Sequence, residues 1–173
     1  KMNKFFRKED GVAATEVALL FPILLAFIMA VYDLGQGITI NQKTVTASQV
    51  IGDLITRNES VTVDMIDDVI NAGELALTPY PLTNFGYDIM SIEFDADGDP
   101  FVLWRATSNM DENDDPLEDT LDLGGPGEGV VVVTITNSYS PYFANFVVDD
   151  FNMEEIAFLR GRKSSTVICT DCP

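Results

Sequence analysis

Apolar positions along the chain change their period twice. From Val12 to Tyr32 they are nearly unbroken (VAATEVALLFPILLAFIMAVY), a run of 21 residues. As a helix it would reach about 31 Å, which matches a bilayer hydrocarbon core of about 30 Å. The spacing then becomes that of an amphipathic helix, with Ile40, Thr44, Ala47, Ile51 and the pair Leu54/Ile55 on one stripe. This predicts that the apolar helix continues outward to Arg57-Asn58, with a break at Gly35-Gln36-Gly37. Ser60 or Thr62 is placed to cap a second helix, with Asp64 in its first turn and an apolar face of Val63, Ile66, Ile70, Gly73 and Leu77. Thr78-Pro79-Tyr80-Pro81 stops it.

The period then drops to two. Tyr87 to Phe94 and Phe101 to Thr107 read as strands joined by the turn Asp95-Ala96-Asp97-Gly98-Asp99-Pro100. Val130 to Tyr139 is the strongest strand signal in the chain. The expected fold class is α+β: an N-terminal transmembrane helix continuing into an exported helix, a second helix, and a small antiparallel sheet of about three or four strands. The expected division is a basic leader over 1–11, a membrane helix over 12–33 and an exported domain over 34–173, with an acidic, glycine-rich surface loop at 108–129 expected to be mobile.

Charge sharpens this division. The chain carries 28 acidic and 10 basic residues and no histidine, a formal net charge of −18. Lys1, Lys4, Arg7 and Lys8 balance Glu9, Asp10, Glu16 and Asp33, so the whole excess lies beyond Asp33, among 24 acids and 6 bases. So few cations cannot coat a phosphate backbone, which excludes nucleic-acid binding. Without histidine there is no Ser-His-Asp triad, Cys-His pair or histidine-ligated zinc. The basic cluster before the apolar run places the N-terminus in the cytoplasm and the acidic bulk on the far side of the membrane. A cleaved signal peptide fits less well: Glu16 interrupts the apolar core, and Ile28-Met29-Ala30 is a poor small-x-small site.

A motif heads the apolar segment. A short basic leader is followed by Gly11, then Val12-Ala13-Ala14-Thr15, then Glu16, and then an apolar run with an early Pro22. This resembles the processing site of type IV pilin-like proteins, and more closely the TadE/TadG family of minor pseudopilins from tight-adherence (Tad/Flp) pilus systems. The resemblance implies cleavage between Gly11 and Val12, with Glu16 as the fifth residue of the mature chain. A carboxylate in a bilayer costs on the order of 2.5–3.5 kcal/mol at the centre and is usually paired. The new α-amino group of Val12 on a neighbouring subunit would supply the partner. Pro22 lacks an N–H and should loosen one turn of the helix. Asp33, followed by glycines, also resembles the family's exit from the membrane, although it is read more simply as the point where water begins. Glu16, Pro22 and Asp33 are thus the candidate residues for helix assembly. The strand, acidic turn, Trp104 strand and long valine strand resemble the family's exported region, as do the basic Arg160-Gly161-Arg162 and the later Cys169.

Three constellations remain. Asp95, Asp97 and Asp99 have the opening spacing of a calcium loop, but Pro100 replaces the required glycine and Ala106 the bidentate acid, so a hairpin turn is expected and calcium is only a weak candidate. The glycines after the acidic cluster precede a strand and lack a following Lys-Ser/Thr, so they do not form a phosphate cradle. Cys169 and Cys172 form a CxxC with no helix to follow, which argues against redox catalysis and for a disulfide, either local or with each cysteine paired elsewhere. No base, nucleophile and oxyanion site occur together, so no enzyme, no small-molecule substrate and no cofactor are expected. The leading expectation is a structural pseudopilin that meets the lipid bilayer and other membrane or pilus subunits through its helix. The alternative is an uncleaved single-pass accessory subunit docked on a respiratory, photosynthetic or secretion complex.

Overall fold

The apolar run and the amphipathic stripe after it form one helix. In the computed structural model, which describes residues 8–82, 84–145 and 148–172, helix α1 runs without interruption over Lys8–Thr56 and contains Pro22. Lys1, Lys4 and Arg7 of the basic leader lie outside the described residues, whereas the Gly11–Val12 bond lies within the helix. The expected break at Gly35-Gln36-Gly37 does not occur. A helical glycine costs only about 1 kcal/mol relative to alanine. Here the helix is held on both sides of the pair, and a Cβ at Gly37 would lie 3.5 Å from the Tyr139 ring. The stripe behaves as its spacing predicts: Ile40, Thr44, Ala47, Ile51 and Ile55 are all buried.

After the short strand β1 (Ser60–Val61), helix α2 spans Val63–Leu77. The Thr62 hydroxyl accepts from the Met65 amide at 3.2 Å and caps it. Ile66, Ile70, Gly73 and Leu77 are buried, while Val63, at the end of the expected face, is exposed. The two helices cross closely, since a Cβ at Gly73 would lie 2.5 Å from Ile51 Cδ1. No basic residue stands in the last turn of α2. Lys43 of α1 supplies that charge instead, donating to the carbonyls of Ala76 and Thr78 at 3.1 and 2.8 Å.

The sheet has four antiparallel strands in the order β3-β2-β4-β5: β2 (Gly86–Phe94), β3 (Pro100–Ser108), β4 (Gly129–Tyr139) and β5 (Phe151–Arg160). Register is set by pairs such as Ile89↔Val133 and Val133↔Ala157. Strand β5 has no counterpart in the sequence reading. Its central Met153-Glu154-Glu155 has poor strand propensity, and an edge strand tolerates such residues. A second, parallel pair joins β1 to β6 (Ile168–Cys169).

Both faces of the sheet are covered. Ile89, Trp104, Val131, Val133 and Ile135 pack under α1 and α2. Met90, Ile92, Phe94, Val130 and Val132 form the opposite face, with Leu117 packed on it. Leu117 belongs to a short helix α3 (Asp115–Asp119) within the acidic segment, which packs this part of the segment on the sheet. The reason is a buried ion pair. Asp88, fully buried, accepts from Arg105 Nε at 3.0 Å, the Thr107 hydroxyl at 2.7 Å and the Asn113 amide at 2.9 Å. Arg105 also reaches Glu112, Asp114 and the Asn113 carbonyl at 3.1, 2.8 and 2.9 Å. The acids thus gather on one desolvated cation, and Gly124 lets the chain close over the Phe94 ring, 2.3 Å from where a Cβ would stand. Removing one member of a buried pair strands the other. Arg105→Ala is therefore expected to destabilise the domain by about 3 kcal/mol in denaturant unfolding and to open residues 111–119 to hydrogen exchange.

Candidate functional site

Helix α1 meets two environments along its length. Its outer half is core. From Val12 to Leu34 its apolar side chains, Leu19, Phe21, Leu24, Phe27 and Val31 among them, are exposed. This part of the helix is long and apolar enough to cross a membrane. Glu16 is exposed on its first turns, where the Thr15 hydroxyl donates to the Val12 carbonyl at 2.8 Å. Pro22 lies on the exposed stretch, and lacking an N–H it leaves the Ala18 carbonyl without its helical donor.

Asp33, at the end of the bare stretch, is only 5% exposed. It is not an open water edge. Its Oδ1 accepts from the Tyr142 amide at 3.0 Å, and its Oδ2 from the amides of Phe143 and Ala144 at 2.9 and 2.8 Å. Three consecutive backbone donors of the β4–β5 connection thus converge on one carboxylate, an anion nest whose ligand is supplied by the chain itself. The Asp33 carbonyl accepts from the Tyr139 hydroxyl at 3.2 Å. Burial, then the Asp33 carboxylate, raises the Tyr139 hydroxyl above its ordinary value and keeps it a donor. One turn of helix is thereby tied to both the end of β4 and the connection after it.

Around this clamp lies an aromatic cluster. The Tyr32 ring meets Tyr142 and Phe143 edge-on, with centroids 6.4 and 5.7 Å apart. Beside it, an open groove of about 720 Å³ is lined by Leu34, Gly37, Ile38, Tyr139, Val148 and Phe151, among others. The arrangement joins the bare helix to the folded domain.

The other sequence candidates lie far from the joint in the fold. Asp95 Oδ1 accepts from the amides of Asp97 and Asp99 at 2.9 and 3.0 Å, so this carboxylate closes the β2–β3 turn, with Gly98 in the left-handed region at φ 89°. Cys169 and Cys172 form a local disulfide. It holds Asp171 so that its Oδ1 accepts from the Val63 amide at 2.9 Å, at the N-terminus of α2. The CxxC therefore clips the chain's end onto a helix start, and β6 and the Val167 carbonyl complete the clip. That carbonyl accepts from both Ser91 Oγ and Trp104 Nε1, at 2.7 and 2.8 Å.

Sequence reasoning missed Tyr139, Tyr142, Phe143 and the three amides. A signal was present: no charged residue occurs between Ser140 and Val148, although the domain is strongly acidic. Three aromatic residues in this charge-free stretch, Tyr142, Phe143 and Phe146, are unusual for a solvated loop.

Comparison with known proteins bears on the helical half of the chain. Residues 11–51 match the family model described as TadE-like protein. The match covers the bare helix, Asp33 and the first part of the core stripe, and it is consistent with a TadE-like protein of Tad pilus systems. No curated protein and no solved structure matches the chain.

Two outcomes follow from the clamp. Asp33→Ala removes the acceptor of three amides, and each hydrogen bond to a charged group contributes about 1.5–3 kcal/mol. Hydrogen exchange at Tyr142, Phe143 and Ala144 is expected to accelerate, while exchange in the centres of β2 and β4 is expected to change little. The second outcome concerns alkaline pH. Because the folded-state value of Tyr139 is raised, its contribution is complete below the ordinary value of 10.0 and is lost as pH rises through the raised one. Tyr139→Phe should lower stability by about 1 kcal/mol at neutral pH. It should also reduce the alkaline loss measured by circular dichroism. Tyr87, likewise raised by burial and by Asp67, titrates in both proteins.

Proposed function

We propose that this chain is a membrane-anchored, TadE-like minor pseudopilin, a structural and assembly component of a Tad pilus system, and that it performs no catalysis. The observation that carries the reading is the coincidence of the family match over residues 11–51 with a helix whose apolar stretch is bare and whose continuation is buried in the domain. A helix that exposes so many large apolar side chains has to be covered, by lipid or by other helices. In this reading the bilayer covers Val12 to Tyr32 before assembly, with the N-terminus in the cytoplasm and the acidic domain on the far side of the inner membrane. Neighbouring pilus subunits cover it afterwards.

The leader then has a defined fate. Cleavage between Gly11 and Val12 leaves an α-amino group one turn from Glu16, and in an assembled helix bundle that amine can pair with Glu16 of an adjacent subunit. Pro22 frees a carbonyl for bonding between helices. Calcium has no assigned role, since the Asp95 carboxylate already closes its own turn.

Mass spectrometry of the N-terminus of the protein isolated from cells tests the reading. A chain that begins at Val12 is expected. An N-terminus that retains the leader would overturn the processed pseudopilin in favour of an uncleaved accessory subunit. Gly11→Leu is expected to block processing and to remove the protein from the assembled pilus machinery while leaving its thermal unfolding unchanged.

A further inference from the structure

We propose that the β4–β5 connection is a lipid-docking surface: Tyr142 and Phe143 lie in the headgroup layer beside Tyr32 and seat the acidic domain directly on the membrane. This inference rests on the reading of α1 as a bilayer span.

Depth is fixed by geometry. If Val12 to Tyr32 crosses the hydrocarbon, Tyr32 marks the outer interface, where tyrosine and tryptophan rings concentrate. The rings of Tyr142 and Phe143 touch the Tyr32 ring, so they share its level. They are nevertheless open on their other sides, 62% and 44% exposed. The apolar surface of the helix thus continues without a gap onto the domain, through Leu34, Ile38 and Val148. Burying it in lipid removes apolar area from water at no cost in charge, because no charged residue lies between Ser140 and Val148.

The clamp makes such docking possible. Backbone amides that enter the interface must be satisfied internally. Those of Tyr142, Phe143 and Ala144 are satisfied by Asp33, and the same three bonds replace water around the one carboxylate that would otherwise oppose immersion. Asp149 and Asp150 follow at once and set the limit of penetration; Asp150 is held by the Ser140 hydroxyl at 2.6 Å. An acidic domain is repelled by anionic headgroups, so the surface it fits is zwitterionic.

The test uses the full chain in phosphatidylcholine vesicles. Phe143→Trp and, separately, Tyr142→Trp report on the connection, Phe27→Trp reports on the span, and the buried Trp104 of the unsubstituted chain supplies the background. Lipids brominated high on the acyl chain are expected to quench and blue-shift the probes at 143 and 142. Lipids brominated near the chain end are expected to quench the probe at 27. If the probe at 27 is quenched while those at 142 and 143 emit as solvated indoles, the docking surface is overturned and the span stands. A protein partner would then be the occupant. If the probe at 27 is not quenched, the membrane span itself falls, and the docking surface falls with it.

Discussion

Asp33 accepts three consecutive backbone amides at the place where helix α1 passes from its bare stretch into the folded domain, and much of the molecule's form is arranged around that contact. A single helix with a bare apolar stretch and a buried core stripe has two apolar surfaces with no reason to be aligned. The helix alone fixes its own axis, but it leaves the domain free to bend at the exit. Tying the β4–β5 connection to Asp33, and the Tyr139 hydroxyl to the Asp33 carbonyl, adds a second attachment at the ends of the strands on which the helix packs. Two separated attachments fix a direction where one would act as a hinge. The continuity of α1 through Gly35 and Gly37 belongs to the same design, because Gly37 is where the Tyr139 ring approaches the helix.

Charge is handled in two ways. Most of the net −18 is solvated surface. A small part is structural: Asp33 is held by amides, Asp88 is paired with Arg105, and Asp171 is held by a helix start. Each of these three carboxylates joins segments far apart in sequence. Asp33 binds residues 142–144, Asp88 anchors residue 113, and Asp171 caps residue 63. Asp33 borders the groove beside Tyr139, Asp88 is paired with Arg105, and Asp171 stands at the start of α2. These three acids act as fasteners between segments of the fold.

The legible part of the fold was what local periodicity encodes. The buried stripe of α1, the Thr62 cap, the face of α2 and three of the four strands follow from spacing and turn chemistry. What was not legible depends on pairing across distance. Strand β5 shows weak alternation because only its inner residues, such as Leu159 against Gly52, are constrained, and its Glu154-Glu155 reads as helix or loop. The acidic segment reads as a mobile surface loop by composition, and the buried Asp88–Arg105 pair that holds residues 112–114 against the sheet is invisible to any local window. Asp33 illustrates the same limit: the sequence shows an acid after an apolar run, and the meaning of that acid lies 110 residues away, at Phe143.

The disulfide follows the same logic on a smaller scale. A CxxC that served redox chemistry would need a thiolate stabilised by a following helix. Here the helix that benefits is α2, which begins more than a hundred residues earlier, and the group offered to it is the Asp171 carboxylate, not a sulfur. The bond between Cys169 and Cys172 closes a loop of four residues, and so short a loop restrains the unfolded chain little. Its value is local. It holds Asp171 against the α2 start while β6 pairs with β1 and Val167 caps the Ser91 and Trp104 donors. Residues 167–172 thus seal the edge of the core away from Asp33, so the domain is fastened at both ends of the long helix's outer half: by an acid and three amides beside the bare stretch, and by an acid and a helix start at the other end.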